Sequence, residues 1–362
     1  MSHTPEKISP KTLSKTLSKP DADLIEGVVM KSGGGVYEVD VTPDGEKAEL
    51  FVCQLGGRLK KGKREFSQPV SVGDRVRLRP LETSGANARG QTIREGFLEI
   101  VLPRRSQLGR SRFNKTSQIT LANLDQVVIV MASREPDLNT HRLDRFLVLS
   151  EANELRTVIV FNKIDLLKKK EIKKEIEPLE KLYGSLGYEV VLTSAEVGID
   201  MGRKALKKEL KGHISAFIGS SGVGKSSLVM MIQPKLELWI GEVMEIGKGR
   251  HTTTDVTLHR LDGGGYIADT PGVKTIAMLE QQDIQVEACF PEFRPLLGQC
   301  KFNDCTHRHE PGCAVRRAVE KEKIAASRYE SYVRLWEEID AMAPVYAKKK
   351  EGGRSTIFSD EM

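Results

Sequence analysis

The chain has 362 residues, 39% of them hydrophobic and 29% charged, which is the composition of a globular protein with two or three domains. No apolar run approaches the roughly 20 residues of a membrane-spanning helix, and the N-terminus lacks an apolar signal core, so we expect neither membrane insertion nor secretion. The formal net charge of +6 permits a nucleic-acid partner. Five cysteines are an odd number, which argues against a disulfide framework and favours a reducing, cytoplasmic location.

The N-terminal region predicts a small β-barrel behind a disordered tail. Residues 1–22 are rich in Lys, Ser and Pro and almost free of apolar side chains. Short apolar runs separated by Gly- or Pro-containing turns follow at 25–30, 36–41, 48–52, 74–78 and 96–101. This density of short strands favours an OB-fold over 23–105. The loop 58–64 is densely basic, and it is interpreted either as a contact for a nucleic-acid backbone or as a solvated hairpin.

An α/β pattern begins after a basic segment that is typical of a linker. The basic side chains of that segment are Arg104, Arg105, Arg110, Arg112 and Lys115. Residues 126–131 predict a buried strand, 141–155 a helix with one apolar face, and 157–161 a second strand. Strand, helix and strand in this order predict a parallel sheet with right-handed crossovers.

The second of these strands ends in a candidate base-recognition segment, Asn162, Lys163, Ile164 and Asp165. The Asp165 carboxylate could accept hydrogen bonds from guanine N1–H and from its exocyclic amine, which adenine cannot supply. Asn162 and Lys163 would brace the loops around the base. A helix N-cap at Asp165 is the alternative. Further along, Ser194 and Ala195 follow another apolar run, at a place where a backbone N–H could meet the guanine carbonyl.

A complete phosphate-binding loop follows the apolar run 214–218. It matches G-x-x-x-x-G-K-[ST] and leads into a helix through Gly219, Ser220, Ser221, Gly222, Val223, Gly224, Lys225, Ser226 and Ser227. The glycines let backbone N–H groups curl around an anion at the helix N-terminus. We expect Lys225 to reach the β- and γ-phosphates of a nucleotide and the Ser226 hydroxyl to ligate Mg²⁺. A Gly/Ser-rich turn that matches by chance is the alternative.

Two further segments complete the predicted nucleotide site. Residues 269–272 have the form D-x-x-G, so Asp269 is expected to hold Mg²⁺ through a water and the Gly272 N–H to contact the γ-phosphate. A threonine of 249–254 would complete the Mg²⁺ shell, and Thr253 is preferred over the threonines on either side of it. Taken alone, 249–254 is also consistent with an ordinary polar loop.

The C-terminal region contains a candidate zinc site. Cys300, Cys305 and Cys313 lie close together, with His307 and His309 between them. Three thiolates and one imidazole satisfy tetrahedral Zn²⁺, and four protein ligands make such a site structural. Spacing alone does not choose between the two histidines, and free cysteines in a loop are the alternative. A helical pattern through 324–336 is expected to cover this region, and 345–362 to form a flexible tail.

These segments are the five motifs of a GTPase, but base recognition precedes the phosphate loop. A circular permutation explains that order, because joining nearby termini and opening the chain elsewhere leaves the site intact. Over most of 23–340 the chain resembles the RsgA (YjeQ) family of circularly permuted ribosome-assembly GTPases. The resemblance implies an all-β OB-fold domain at 23–105, a circularly permuted α/β P-loop GTPase domain at 106–280 and a zinc-binding helical module at 281–344.

The resemblance also implies roles that spacing leaves open. It places His307 in the zinc site, so the implied ligands are Cys300, Cys305, His307 and Cys313. Val273 stands where Ras-like GTPases carry a water-orienting glutamine, and a valine cannot hydrogen-bond water. The resemblance points to His251 for that task, and the alternative is a surface histidine with no catalytic role.

The expected function is Mg²⁺-dependent hydrolysis of GTP to GDP and phosphate by a cytoplasmic monomer. By resemblance, the small (30S) ribosomal subunit stimulates hydrolysis, and the enzyme acts late in the maturation of that subunit and leaves on hydrolysis. The flanking modules would bind rRNA. An ATPase is one alternative, against which Asp165 argues. A zinc-bearing RNA-binding protein whose nucleotide site does not turn over is the other.

Overall fold

The fold is that of a computed structural model, which describes residues 23–42, 49–57, 59, 69–86, 92–110, 118–196, 198–234, 256–269 and 284–347. They form a closed barrel, a six-stranded sheet with helices on both faces, and a helical module that contains a Cys/His cluster. In the described part of the chain, no helix is both long and apolar enough to cross a membrane.

The barrel strands are β1 (Ile25–Gly33), β2 (Val36–Asp40), β3 (Leu50–Leu55), β4 (Arg75–Ala86) and β5 (Thr92–Val101). They close in the order β1-β2-β3-β5-β4, with β3 and β5 parallel and the other neighbours antiparallel. Alternate side chains fill the interior, among them Val39, Phe51 and Leu98, because successive residues of a strand face opposite sides. This topology confirms the predicted OB-fold barrel.

A hairpin follows the barrel where a linker was predicted. It consists of β6 (Gln107–Arg110) and β7 (Gln118–Ala122), which pair antiparallel. The linker prediction is wrong for 107–110, because Leu108 is buried in the core beneath the hairpin, together with Leu121 of β7. The Arg104 guanidinium is also not free to contact a nucleic acid, since it makes a bidentate ion pair with the buried Asp74 at 2.6 and 2.7 Å.

The central sheet consists of β8 (Gln126–Ala132), β9 (Arg156–Asn162), β10 (Glu189–Leu192), β11 (Ile214–Ile218), β12 (Thr257–Arg260) and β13 (Tyr266–Asp269). Their order is β10-β9-β8-β11-β13-β12, and every pair is parallel except β12 with β13. Residues of β8 and β11 are buried along their whole length. Such strands need helices on both faces, which explains their continuous apolar sequences.

The helices are α1 (Thr140–Ala152), α2 (Glu177–Ser185), α3 (Arg203–Leu210), α4 (Lys225–Ile232), α5 (Ala314–Glu320) and α6 (Ala326–Ala347). Short 3-10 turns lie at Ile164–Leu166, Val286–Cys289 and Arg294–Leu296, and α2 is preceded by the helical segments Lys169–Glu171 and Ile172–Ile176. Helices α1 and α2 pack on one face of the sheet, and α3 and α4 on the other. Helix α6 extends to Ala347, slightly beyond the predicted start of the tail.

The strand order accounts for the unusual order of the motifs. Strand β10 lies at one edge of the sheet, and the next strand of the chain, β11, lies on the far side of β9 and β8. The connection between them is helix α3, which ends at Leu210, and a short link to Ile214. The carboxyl ends of β9, β10 and β11 nevertheless lie at the same edge of the sheet, because these strands are parallel. The base-recognition segment, Ser194 and the phosphate loop are therefore connected to one edge.

The barrel contacts the central domain at Asp40, the last residue of β2. This buried carboxylate accepts hydrogen bonds from Arg260 of β12 at 3.2 Å and from the Tyr266 hydroxyl of β13 at 2.9 Å. Partly buried Val28 and Met30 of β1 pack against the central core. The barrel thus lies against the end of the sheet formed by β12 and β13.

The C-terminal module contacts the central domain through a buried arginine. Arg328 of α6 pairs with Asp144 of α1 and, through Nε at 2.7 Å, with Glu292 of its own module. Asp144 also accepts a hydrogen bond from the Tyr183 hydroxyl at 2.8 Å. Burial raises the pKa of Asp144, and the neighbouring Arg328 counteracts that rise. The guanidinium lies over the Phe290 ring, 4.5 Å from its centroid, so the pair is enclosed by aromatic side chains.

Candidate nucleotide site and metal cluster

The loop after β11 lies very close to the ends of β8 and β9 at two glycines. Gly219 has φ 147°, and a Cβ there would lie 2.3 Å from the Val130 carbonyl oxygen. Gly224 has φ 94°, and a Cβ there would lie 2.3 Å from Asn162 Nδ2. A side chain at either position would therefore displace backbone or the base-recognition segment, which is why this loop needs glycine at these positions.

Lys225, the first residue of α4, reaches back over the loop. Its ammonium group donates to the carbonyl oxygens of Gly219 at 2.6 Å and Ser220 at 2.8 Å. Burial lowers the pKa of Lys225, because desolvation disfavours its charged form. Ser226 and Ser227 are half-buried in the first turn of the same helix. A loop that wraps a lysine at a helix N-terminus has the local geometry of an anion site.

Asn162 links the phosphate loop to the base-recognition side of the site. Its amide nitrogen donates to the Val223 carbonyl at 2.9 Å, and its amide oxygen accepts from the Thr193 hydroxyl at 3.0 Å. Asn162 and Thr193 are buried, so both ends of the amide are satisfied within the protein. A single side chain therefore sets the spacing between the ends of β9, β10 and β11.

Asp165 and Ser194, predicted from separate segments, are in direct contact. The Ser194 hydroxyl donates to Asp165 Oδ1. Ser194 is buried, whereas Asp165 is exposed. Ile164 is buried beneath this pair, and its N–H donates to the Thr193 carbonyl at 3.2 Å. The half-buried Ala195 packs against the neighbouring core.

Lys163 has a left-handed backbone, φ 61° and ψ 37°, which is uncommon for a residue with a side chain. Its ammonium group donates to the Glu135 carbonyl in the loop between β8 and α1. The same loop approaches the phosphate loop, since a Cβ on Gly222 would lie 3.9 Å from Pro136. Strained residues of this kind are concentrated at functional sites.

The remaining predicted nucleotide residues are only partly described. Asp269 is the last residue of β13, beside β11, so its strand ends at the same edge as the phosphate loop. Ser221 and Gly222 are exposed at the tip of that loop. His251, Thr253, Gly272 and Val273 lie outside the described residues.

Two residues at this edge were not predicted from the sequence. Thr193 ends the apolar run before Ser194, and its hydroxyl positions Asn162. Arg142 of α1 donates from Nη1 to the Ser220 hydroxyl at 2.8 Å. No motif contains Arg142, and the only available signal was a basic residue in the first turn of a helix, where acidic residues are usual.

The C-terminal module brings together one nitrogen and three sulfur ligands. One ligand atom from each of Cys300, Cys305, His307 and Cys313 lies within 4.8 Å of all the others. His307 Nδ1 is 3.4 Å from Cys300 Sγ and 3.5 Å from Cys313 Sγ. His309 is exposed and lies outside the cluster. Three sulfurs and one imidazole at this spacing fit a tetrahedral metal ion.

The surroundings of the cluster support a bound cation. Burial raises the pKa of the Cys305 thiol to about 12, so a metal ion is what would keep it deprotonated. The backbone N–H groups of Ala314 and Arg316 point at Cys300 and Cys313 Sγ, at 3.3 and 3.4 Å, as expected for thiolate acceptors. Tyr332 of α6 donates to the Thr306 carbonyl at 2.7 Å, so this helix covers the ligand loop.

Glu310 holds the same loop from inside. Its carboxylate accepts from the backbone N–H groups of Thr306 at 2.9 Å and Arg308 at 3.1 Å. Burial alone would raise the pKa of Glu310, but hydrogen bonds from the Thr306 hydroxyl and from the backbone N–H groups of Thr306, His309 and Glu310 itself lower it to about 2. The loop is therefore fixed by a carboxylate that stays charged.

The glycine loop after the buried strand β11, the base-recognition segment at the end of the parallel strand β9 and the strand order define a circularly permuted P-loop GTPase. The model of the RsgA GTPase family matches residues 101–279. The Small ribosomal subunit biogenesis GTPase RsgA of Gemmatimonas aurantiaca is 42% identical over 321 residues, covering 86% of this chain and 97% of that protein. The chain belongs to the RsgA GTPase family.

Solved structures agree with this assignment. The crystal structure of YjeQ from Thermotoga maritima matches with a TM-score of 0.63 and 37% identity, over 87% of this chain and 98% of that one. The crystal structure of YloQ, described as a circularly permuted GTPase, matches with a TM-score of 0.64 and 28% identity, over 93% and 100%. Both matches extend well beyond the GTPase domain, so the predicted three-part fold is confirmed.

Proposed function

We propose that this protein hydrolyses GTP to GDP and phosphate with Mg²⁺ and serves the biogenesis of the small ribosomal subunit. The observation that carries the proposal is Asn162, whose amide joins the phosphate loop at Val223 to the base-recognition side at Thr193. A rigid link between the two halves is what a site for a whole guanine nucleotide requires. Relatives named as small ribosomal subunit biogenesis GTPases support the cellular role.

The base is proposed to bind at Asp165. Its carboxylate would accept from guanine N1–H and the exocyclic amine, and the Ser194 hydroxyl holds it in place. A backbone N–H of Ser194 or Ala195 would donate to the guanine carbonyl. Asp165→Asn should weaken GTP binding and favour xanthosine triphosphate, because the amide can donate to the xanthine carbonyl. Competition binding of GTP, xanthosine triphosphate and ATP measures this, and an unchanged GTP preference would remove Asp165 from the base site.

The phosphates are proposed to bind to the loop 219–227. Backbone N–H groups of Ser221, Gly222 and Gly224 would surround them, and Lys225 would exchange its carbonyl partners for the β- and γ-phosphates. Mg²⁺ would be held by Ser226, by Asp269 through a water, and by Thr253. Bound Mg²⁺ neutralises charge on the phosphates during hydrolysis.

The attacking water is proposed to be oriented by His251, and the Gly272 N–H would contact the γ-phosphate. The assignment of His251 rests on the family resemblance and on Val273, which cannot perform that task. An imidazole can accept a proton or a hydrogen bond from water near neutral pH.

The Cys/His cluster is proposed to hold one structural Zn²⁺. Four protein ligands leave no open position for a substrate, and the module around them is small, so the ion would supply much of its folding free energy. The module at 281–344 and the barrel at 23–105 would both contact rRNA. The boundaries of these domains, and of the GTPase domain at 106–280, belong to the proposal.

One set of assays tests the enzyme and its partner. GTP hydrolysis is measured with purified small subunits, large subunits and free RNA at one salt concentration. Stimulation by small subunits alone is expected. Equal rates with all three would show that the small subunit is not a specific activator. Nucleotide binding without hydrolysis would favour an RNA-binding protein whose nucleotide site only binds. Preference for ATP would favour an ATPase.

The protein is further proposed to be a cytoplasmic monomer that acts late in maturation and leaves the subunit after hydrolysis. Binding to a ribosomal subunit does not require a second copy of the chain. Light scattering of the purified protein tests the monomer, and fractionation of subunits at different stages of maturation tests the timing. A stable dimer in solution would contradict the first expectation.

A further inference from the structure

Arg142 lies at the rim of the phosphate loop, where its backbone and its side chain each make one hydrogen bond. It is in the first turn of α1, where its backbone N–H donates to the side chain of the N-cap Asn139 at 2.9 Å. Its guanidinium donates from Nη1 to the Ser220 hydroxyl at 2.8 Å, and the side chain is exposed. Among the described residues, no other group accepts a hydrogen bond from this guanidinium, whose N–H donors lie in one plane.

Two cations thus meet at one residue of the loop. The Ser220 carbonyl accepts from Lys225 at 2.8 Å, and the Ser220 hydroxyl accepts from Arg142. Within the described ranges of the chain, no carboxylate pairs with Arg142. Like charges that are brought together without a carboxylate repel each other, and an anion between them removes the repulsion.

Neighbouring arginines show that Arg142 is an exception. Arg134 pairs with Glu171 and Glu175, and Arg145, on the next turn of α1, pairs with Glu338. The first turn of α1 contains no acidic residue, although a helix N-terminus favours one. A cation placed against the helix dipole without a carboxylate partner breaks a local rule, and such positions are expected at functional sites.

We propose that Arg142 is a second phosphate-binding cation of the nucleotide site and contacts the terminal phosphate of GTP. This inference rests on the proposed GTPase function. The guanidinium would leave the Ser220 hydroxyl and donate two N–H bonds to γ-phosphate oxygens, a geometry that Arg provides and Lys does not. In the chain itself it would supply positive charge that many GTPases receive from a partner.

Arg142 transfers no proton during GTP hydrolysis. The oxygen of water forms a bond to the γ-phosphorus, the bond from that phosphorus to the β,γ-bridging oxygen breaks, and GDP, phosphate and one proton are released. Arg142 keeps its proton throughout and stabilises the charge on the γ-phosphate oxygens as they separate from GDP. It therefore discriminates GTP from GDP, because GDP has no γ-phosphate.

The test compares Arg142→Met with wild type. Single-turnover GTP hydrolysis is expected to slow by about 100- to 1,000-fold, the range found when one donor that stabilises a transition-state oxyanion is removed. Affinity for a β,γ-imido GTP analogue should fall more than affinity for GDP. Arg142→Lys should recover part of the loss, since it keeps the charge without the planar fork. Arg134→Met is the matched control, and its ratio of analogue to GDP affinity should equal that of wild type.

Ser220→Ala separates phosphate binding from bracing of the loop. If Arg142 only braces the loop, Ser220→Ala and Arg142→Met lose the same activity, and the analogue and GDP weaken equally. That result, or hydrolysis by Arg142→Met within twofold of wild type, overturns the proposal. Circular dichroism establishes folding, and Arg142→Gln replaces the methionine variant if that variant is unstable. Wild-type protein that fails to prefer GTP or to hydrolyse it contradicts the proposed function instead.

Discussion

The barrel and the C-terminal module both meet the GTPase domain at a buried carboxylate and an arginine, but the two contacts differ in their surroundings. Asp40 of the barrel meets Arg260 and Tyr266 at the edge of the sheet, and the Arg260 side chain is 13% exposed. Arg328 of the C-terminal module is 1% exposed, lies between two carboxylates and is covered by an aromatic ring.

The difference indicates how each module responds to movement of the GTPase domain. Separating Arg328 from Asp144 leaves charges without partners in an apolar interface, which costs far more than separating a polar contact at an edge. We therefore expect the C-terminal module to move together with α1. The barrel is attached to β12 and β13, the strands that lead to Asp269, and can shift at lower cost.

Among the changes that test this difference between the two modules, loss of the metal should destabilise the protein most. Cys313→Ser is expected to lose zinc and to unfold the module after residue 290, because structural zinc contributes about 10–16 kcal/mol in zinc-finger peptides. The GTPase sheet keeps its own core and should still bind nucleotide. Metal analysis and limited proteolysis measure both effects. Cys289→Ala removes a buried thiol outside the cluster and should keep zinc, whereas full zinc in Cys313→Ser would show that the ligand assignment is wrong.

Removal of the buried arginine should have the next largest effect. Arg328→Met leaves Asp144 and Glu292 without their cation, and the free energy of unfolding should fall by about 3–5 kcal/mol. Urea titration followed by tryptophan fluorescence measures it. Arg334→Met, on the exposed side of the same helix, should cost less than about 1 kcal/mol. Equal losses in the two variants would contradict the role of the buried contact.

The stability of Arg328→Met should also depend on pH, because Asp144 loses its cation. Burial raises the pKa of Asp144, and loss of Arg328 raises it further. A carboxyl with a folded pKa above its unfolded pKa takes up a proton on folding, so its contribution is favourable at low pH and is lost as the pH rises. Arg328→Met should therefore be less destabilised at pH 5 than at pH 8. The opposite trend would show that Asp144 is not the group left unpaired.

The barrel contact should show a smaller effect. Asp40→Asn keeps the shape but removes the charge that faces Arg260, which should cost about 1.5–3 kcal/mol. Thermal unfolding and protease cleavage between the barrel and the sheet measure the change. Glu38→Gln alters an exposed carboxyl on the same strand and serves as the control. A loss as large as that of Arg328→Met would remove the distinction between the two contacts.

The smallest expected effect is the dependence of ribosome binding on the nucleotide. If the γ-phosphate orders the segments 249–254 and 269–272, small-subunit affinity should be higher with a non-hydrolysable GTP analogue than with GDP, by about 1–3 kcal/mol. Filter binding at one salt concentration measures the difference. By reciprocity, small subunits must tighten binding of the analogue by the same factor. Equal small-subunit affinities with the analogue and with GDP would show that the nucleotide does not control ribosome binding.

Elements with a strong local signal could be predicted from the sequence. Strands β8, β9 and β11 are continuous apolar runs because both faces of the sheet are covered, and the phosphate loop has a fixed pattern. The hairpin of β6 and β7 escaped prediction, since its apolar residues Leu108 and Leu121 are few and lie among basic ones.

Features that depend on distant partners could not be predicted. Arg328 has the sequence signature of an exposed helical residue, and its burial depends on Asp144 and Glu292, both far away in the chain. Contacts between separately predicted segments, such as Ser194 with Asp165, follow from the strand order and not from either segment. The sequence could therefore identify residues of the nucleotide site but not what holds them together.

The strand order has a consequence for synthesis of the protein on the ribosome. Strands β8, β9 and β10 emerge first and extend the sheet in one direction from β8. Strand β11 then adds to the open side of β8, and β12 and β13 follow on that side. No later strand has to enter between two that are already paired. We expect the permuted chain to assemble its sheet outward from β8 as it is translated, except that β12 can join only after β13, which lies between it and β11. The phosphate loop is then completed only after the base-recognition half has formed.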